Sequence, residues 1–79
     1  MNKEQLLNEI EIICKDVFNK SDITITENTN SDDIEGWDSI TNVFFIDSIE
    51  KKFDIKLSLM EIMNIDNVGD LIKILLERK

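Results

Sequence analysis

Apolar side chains recur at helical spacing over the first twenty residues. Four of them follow one another at intervals of three or four residues and three more widen the same stripe: Leu6, Ile10, Ile13 and Val17, flanked by Leu7, Cys14 and Phe18. A period near 3.6 residues is typical of an amphipathic helix. The pattern therefore predicts a helix from about Lys3 to Lys20, with one face in a core.

The stretch from Ser21 to Trp37 is polar and rich in Asn, Asp, Ser and Thr. Residues 23–26 alternate like a strand, but no second strand signal is present to pair with them. We therefore predict an extended loop, longer than most loops in compact domains, which Ile23, Ile25 and Ile34, together with Trp37, hold against the helices.

The acidic end of this loop, residues 31–36, has glycine in the sixth place, as a calcium-binding loop does. Serine stands in the first place and Asn42 would stand in the twelfth, where such a loop needs a bidentate glutamate. We expect no metal site. Asp32, Asp33 and Glu35 are interpreted as a solvated acidic rim.

A second helix is predicted from about Ser39 to Lys52. Four of its apolar residues fall within an arc of about 120° and are expected in the core: Val43, Ile46, Ile49 and Phe53. Ile40 and Phe44 lie opposite this arc and form an exposed apolar pair. Such a pair is either an idle surface feature or a docking contact.

Two shorter signals complete the pattern. Ser58 and Glu61 have the spacing of a capping box that opens a short helix through Met63. Asp66 is then expected to cap a last helix, with inward positions at Val68, Leu71, Ile72 and Leu75 and with Arg78 and Lys79 near its C-terminal dipole. These elements predict one all-α domain over residues 1–79, a four-helix bundle of three longer helices and one short helix with a long first loop.

Composition removes several classes of function. The 79 residues include no histidine and one cysteine, and their formal net charge is −8. Without an imidazole, the usual activation of a serine or cysteine nucleophile is absent, so we expect no enzyme. The negative charge makes nucleic acid and anionic membranes poor partners and favours proteins with basic patches. Without a signal-peptide or membrane-spanning run, a cytoplasmic protein is expected. We also expect it to be a monomer.

The candidate chemistry lies in the pentapeptide Gly36-Trp37-Asp38-Ser39-Ile40. Gly36 allows a tight turn before the second helix, and Asp38 is a good N-cap. Ser39 then falls in the first turn, where unpaired N–H groups and the helix dipole favour an anionic group such as a phosphate ester. The alternative interpretation is that Asp38 and Ser39 only cap the helix.

The order of these features resembles the acyl carrier and peptidyl carrier protein family. The likeness extends from the first helix through G-W-D-S-I and Glu50-Lys51-Lys52-Phe53-Asp54-Ile55 to Asn67-Val68-Gly69-Asp70-Leu71-Ile72. The resemblance implies that Ser39 carries 4′-phosphopantetheine, supported by Asp38 and Gly36. It also implies that the cargo is an acyl or aminoacyl thioester, and that apolar residues shelter it: Val43, Ile46, Phe53, Leu59, Ile62 and Ile65.

The same resemblance implies the partners of a discrete carrier protein. They are a phosphopantetheinyl transferase that uses coenzyme A, a cargo-loading ligase or synthetase, and downstream acyl-transferring enzymes. The resemblance implies that all of them contact the second helix, at Ile40, Phe44, Asp47 and Glu50. Thr41 and Phe44 stand where carriers of fatty acid synthesis generally have acidic residues, which favours a dedicated pathway. The alternative function is an unmodified helical interaction module in which Ser39 only caps a helix.

Overall fold

A computed structural model describes residues 1–78. In chain order its elements are α1 (Lys3–Val17), a 3-10 turn (Ser31–Asp33), α2 (Ser39–Phe53), α3 (Leu59–Met63) and α4 (Val68–Arg78). α1 packs against both α2 and α4. Over residues 1–78 every regular element is helical, which confirms the all-α prediction of three longer helices and one short one. The 3-10 turn was not predicted.

α1 begins and ends with backbone groups that are satisfied locally. Asn2 caps its start, where the Asn2 side chain accepts the Gln5 N–H at 2.8 Å. At the other end Asn19 has φ = +54°, and the Lys20 N–H donates to the Lys15 carbonyl at 3.1 Å. A left-handed residue with this hydrogen bond terminates a helix. The predicted extension to Lys20 is therefore wrong, and α1 ends at Val17.

The buried face of α2 differs from the predicted one by a rotation of the helix. Val43 was expected in the core, but its side chain is 65% exposed. Phe45, which was not expected there, is only 1% exposed and joins Ile46, Ile49 and Phe53. At about 100° per residue, this face spans about 100° and is centred about 50° away from the predicted arc. Periodicity shows which residues can share a face, whereas packing against α1 decides how the helix is turned.

α3 is a single short element that is held at both ends. The predicted capping box is confirmed, because the Ser58 hydroxyl accepts the Glu61 N–H at 3.1 Å and the Glu61 carboxylate accepts the Ser58 N–H at 2.9 Å. Arg78, at the end of α4, pairs with Glu61 and donates to the Lys56 carbonyl at 2.8 Å. The side chain of Arg78 thus ties α4 to α3. Lys79 lies outside the described residues.

α4 is capped by a different residue from the one expected. The Asn67 side chain accepts the Asp70 N–H at 2.9 Å, whereas Asp66 uses its own N–H to donate to the Asp70 carboxylate. The prediction of Asp66 as the cap is therefore wrong by one residue. The inward positions are confirmed, and all four are buried: Val68, Leu71, Ile72 and Leu75.

The long loop is fixed to the helices as predicted. Three isoleucines of the loop are buried: Ile23, Ile25 and Ile34. Trp37 is partly buried and packs against the same core. The loop also crosses the start of α4, where the Val68 N–H donates to the Thr29 carbonyl at 2.9 Å and the Gly69 N–H donates to the Glu27 carbonyl at 2.7 Å. A Cβ atom on Gly69 would lie 3.0 Å from that Glu27 oxygen, so this close approach favours glycine. These bonds anchor the loop before it returns to α2.

Cys14 belongs to the core, as its place on the apolar stripe predicted. Its side chain is fully buried in α1. Burial, reinforced by the nearby Glu11 carboxylate, raises the pKa of the thiol from 9.0 to about 12. Because the thiolate is the reactive form, this thiol is unreactive at neutral pH.

Candidate functional site

Ser39 is the first residue of α2, and its side chain is exposed. Among residues 1–78, none accepts a hydrogen bond from its hydroxyl group or donates one to it. No acidic residue lies in the first turn of α2. An anionic group on this oxygen would therefore sit at the positive end of the helix dipole, where it is favoured.

The capping of α2 is complete without Ser39. One carboxylate oxygen of Asp38 accepts the N–H groups of Ile40 and Thr41, each at 2.9 Å. The Thr41 hydroxyl accepts the Asp38 N–H at 2.8 Å and donates to the Gly36 carbonyl at 2.6 Å. The predicted cap at Asp38 is confirmed. The alternative role of Ser39 as a cap is wrong, because Asp38 and Thr41 already fill it.

The same hydrogen bonds determine the charge of Asp38. The N–H of Thr41, followed by the N–H of Ile40, holds the pKa of this carboxyl below its usual value of 3.8. Asp38 is consequently ionised at neutral pH. Its ionised carboxylate accepts the N–H groups of Ile40 and Thr41, and the Ser39 hydroxyl takes no part in these hydrogen bonds.

Gly36 provides the turn that the pentapeptide predicted. Its φ angle is +93°, a conformation that residues with a side chain rarely adopt. No atom lies within 4 Å of the place that a Cβ would occupy, so backbone conformation rather than crowding requires glycine.

An aromatic cluster fixes the end of the loop on α2. The Trp37 ring lies 5.2 Å from that of Phe18 and 5.0 Å from that of Phe45, between ring centroids. Its indole N–H donates to the Asn42 side chain at 2.9 Å. Trp37 is thus held by packing on two sides and by a hydrogen bond. Because it directly precedes Asp38, this contact positions the start of the helix.

A cavity of about 290 Å³ opens beside Ser39. It lies between the start of α2, the end of α3 and the segment before α4, and its lining is Ser31, Trp37, Asp38, Ser39, Asn42, Phe45, Ile46, Ile62, Ile65, Asp66 and Asn67. The exposed members of the lining are polar and form its mouth, whereas the buried members are apolar. The site therefore combines an accessible hydroxyl with an adjoining partly apolar space.

Three of the six residues expected to shelter a cargo line this cavity: Ile46, Ile62 and Ile65. The other three do not. Val43 and Leu59 are 65% and 73% exposed, and Phe53 is buried elsewhere in the core. The prediction for Val43 is wrong because α2 is rotated relative to the predicted arc. The prediction for Leu59 is wrong because this residue lies on the solvent-exposed face of α3. Trp37 and Phe45 were missed as lining residues. Replacing Val43 by Phe45 narrows the apolar face of α2 from about 120° to about 100°, so the sequence contains a weak signal for Phe45.

The residues expected to contact partners are divided by the structure into two pairs. Ile40 and Phe44 are 68% and 60% exposed, which confirms that they form an exposed apolar pair. Asp47 forms an ion pair with Lys51 at 3.0 Å, and the Glu50 carboxylate accepts the Leu57 N–H at 2.8 Å. The two carboxylates therefore already have partners within the chain.

The whole constellation fits the attachment of a phosphate ester. Ser39 supplies a free oxygen at the N-terminal end of the α2 dipole, and the cavity supplies space beside the oxygen. None of the helices within residues 1–78 combines the length and hydrophobicity that crossing a bilayer requires.

Comparisons with known proteins bear on the family and the fold. The family model described as "Phosphopantetheine attachment site" matches residues 8–75. The fold is similar to that of a holo acyl carrier protein from Geobacter metallireducens, solved by solution NMR, with a TM-score of 0.85 and 33% sequence identity over 91% of this chain and 83% of that one. A search among curated proteins found no match. The chain belongs to the family of acyl and peptidyl carrier proteins, and its prosthetic group is 4′-phosphopantetheine.

Proposed function

We propose that Ser39 is the attachment site of the prosthetic group and that the protein carries an acyl or aminoacyl cargo on it. The observation that supports this most strongly is the free hydroxyl of Ser39. It is exposed at the start of α2, and Asp38 and Thr41 perform the capping that a serine in this place could otherwise perform. The phosphopantetheine arm supplies a terminal thiol on which a cargo is held as a thioester.

The residues of this chain hold and position the prosthetic group, and other proteins catalyse the reactions of the cargo. Gly36 and Trp37 fix the end of the loop, and Asp38 fixes the first turn, so the Ser39 oxygen is presented at a constant place. With no histidine in the sequence, the chain offers no imidazole that could act as a general base. We therefore assign it the role of a carrier rather than that of an enzyme.

The partners follow from this role. A phosphopantetheinyl transferase modifies Ser39, a ligase or synthetase loads the cargo, and acyl-transferring enzymes receive it. We propose that all of them contact the exposed face of α2, with Ile40 and Phe44 as apolar contacts and with Asp47 and Glu50 as weaker ones. The neutral Thr41 and Phe44 reduce the negative charge on this face, which favours a dedicated pathway over a partner set that depends on acidic contacts.

Intact-mass measurement tests the attachment site. The apo protein is incubated with coenzyme A and a phosphopantetheinyl transferase, and we expect it to gain the mass of one phosphopantetheinyl group. Ser39→Ala should show no gain. Ser31→Ala is the matched control, because Ser31 is an exposed serine at the mouth of the same cavity. It should be modified like the wild type.

Circular dichroism is recorded on both variants and should show nearly unchanged helical content, since a small exposed substitution costs little. Modification that persists in Ser39→Ala would place the attachment elsewhere. A wild-type protein that gains no mass, but still binds a partner through Ile40 and Phe44, would favour the unmodified interaction module.

A further inference from the structure

The cavity beside Ser39 stops abruptly along α2. Its lining includes Phe45 and Ile46. Ile49 and Phe53, which continue the buried face of α2 by one and two turns, are not part of the described lining. The space therefore begins at the mouth near Ser39 and ends at the second turn of the helix.

Phe45 and Ile46 are the residues at which the lining of this space ends along α2, and Phe45 is closely packed. Its side chain is 1% exposed, and its ring lies 5.0 Å from Trp37 and 6.1 Å from Phe18 between centroids. Trp37 is in turn held by its hydrogen bond to Asn42. Aromatic rings packed in this way keep a single arrangement, because moving one of them opens a void against the others.

We propose that Phe45, supported by Trp37, sets an upper limit on the size of the cargo that the protein can shelter. This inference rests on the proposed function, because it takes Ser39 to be the place from which the cargo enters. Ile46, Ile62 and Ile65 provide apolar walls for the cargo, and Phe45 prevents it from reaching Ile49.

The size of the cavity defines the limit. An apolar cavity of about 150 Å³ holds one benzene molecule, which has six carbon atoms. The space beside Ser39 measures about 290 Å³, but part of it is the polar mouth. It therefore shelters a chain of roughly six to ten carbons, and carbons beyond that number must stay in contact with water.

Thermal melting of a series of loaded proteins tests the limit. Holo protein is loaded with straight acyl chains from two to fourteen carbons, and the melting temperature of each is compared with that of the unloaded holo form. Each fully sheltered methylene should raise the melting temperature by roughly 3–6 °C. The increments should end at roughly six to ten carbons. A melting temperature that keeps rising through fourteen carbons would refute the limit.

Phe45→Ala tests the residue. It removes most of a side chain at the closed end, so the increments should continue for about two to four more carbons, and long chains should restore part of the stability that the substitution removes. Phe45→Leu is a milder change and should raise the limit by about one carbon. This variant replaces Phe45→Ala in the test if the alanine variant does not fold. Val43→Ala, on the exposed side of the same helix turn, is the control and should keep the wild-type limit.

The outcomes separate this inference from the proposed function. If no mass gain occurs on Ser39, the proposed function fails and the series cannot be loaded. If loading succeeds but Phe45→Ala and Phe45→Leu keep the wild-type limit, only the role of Phe45 is refuted. A second readout, hydrolysis of the thioester by hydroxide, should slow with chain length up to the same limit.

Discussion

At the scale of single residues, Phe44 and Phe45 differ strongly in burial although they have the same side chain. They are neighbours in sequence, yet one is 60% exposed and the other is 1% exposed. Successive helical positions differ by about 100°, which is enough to place one ring in solvent and the other in the core. The same chemical change at the two positions therefore separates surface effects from core effects.

Phe44→Ala should change the free energy of unfolding by no more than about 0.5 kcal/mol, whereas Phe45→Ala should lower it by about 3–5 kcal/mol. If Phe44 docks a partner, its loss should also weaken the apparent affinity of a loading or transferring enzyme by about 1–2 kcal/mol. Chemical denaturation and the kinetics of the cognate enzymes measure the two effects. A large loss of stability in Phe44→Ala would contradict its exposed position, and unchanged kinetics with every partner would make it an idle surface residue.

Asp38 should stabilise the fold in a pH-dependent way. Its pKa is lowered in the folded protein by the N–H groups of Thr41 and Ile40, so its contribution is complete above its usual pKa of 3.8 and is lost as the pH falls through the lowered value. Asp38→Ala should lower the melting temperature by roughly 4–8 °C at pH 7. This difference from the wild type should shrink below about pH 4.

Asn2→Ala is the matched control for Asp38, because Asn2 caps α1 with a side chain that does not titrate. The difference in melting temperature that it causes should stay constant over the same pH range. A difference for Asp38→Ala that also stays constant down to pH 2 would show that the ionised carboxylate is not what stabilises the cap.

At the scale of elements, α3 depends on side chains more than on buried surface. None of its residues is fully buried, and the Arg78 side chain links Glu61 of α3 and the Lys56 carbonyl to the end of α4. The Ser58 N–H, followed by Arg78, lowers the pKa of Glu61 and keeps it ionised for this contact. Ile62, which lines the cavity, belongs to the same short helix.

Arg78→Ala should therefore loosen α3. We expect the amide hydrogens of Ile62 and Asn64 to exchange roughly two- to fivefold faster, the range that corresponds to the loss of one exposed ion pair. Lys3→Ala, which removes the exposed Lys3–Glu27 pair, should leave these two amides unchanged. Equal exchange in all three proteins would show that packing alone holds α3.

At the scale of the whole molecule, the net charge of −8 acts over a body of 29 × 25 × 21 Å. The screening length is about 30 Å at 0.01 M salt and about 8 Å at 0.15 M. At low salt, charges on opposite sides of the molecule therefore repel one another, and at moderate salt only neighbours do. Exposed ion pairs such as Asp47–Lys51 weaken with salt, but each contributes little.

The melting temperature should consequently rise between 0.01 M and 0.15 M sodium chloride, by a few degrees. Asp22→Asn removes one exposed charge that has no hydrogen-bond or ion-pair partner among the described residues, and it should reduce the rise. A melting temperature that is flat or falls over this range would show that repulsion across the molecule does not destabilise the fold.

The sequence by itself determined the features that depend on neighbours along the chain. The helices, the cap at Asp38, the capping box of Ser58 and Glu61, and the burial of Cys14 all follow from spacings of five residues or fewer, or from a regular period. The place of Ser39 in the first turn of α2 follows from the same local pattern, whereas its freedom from the cap was left open by the sequence and was decided by the hydrogen bonds of Asp38 and Thr41. Such interactions form within one or two helical turns and need no information about distant parts of the chain.

Only the tertiary structure decided the features that depend on contacts between elements. Packing against α1 turned Phe45 inward and Val43 outward, although the apolar period of α2 allows both arrangements. The Thr29 and Glu27 carbonyls anchor the loop to the start of α4, and the cavity joins Ile46 of α2 to Ile62 of α3. The rotation of a helix and the shape of a cavity are set by the simultaneous packing of several elements, which the period of one segment does not contain.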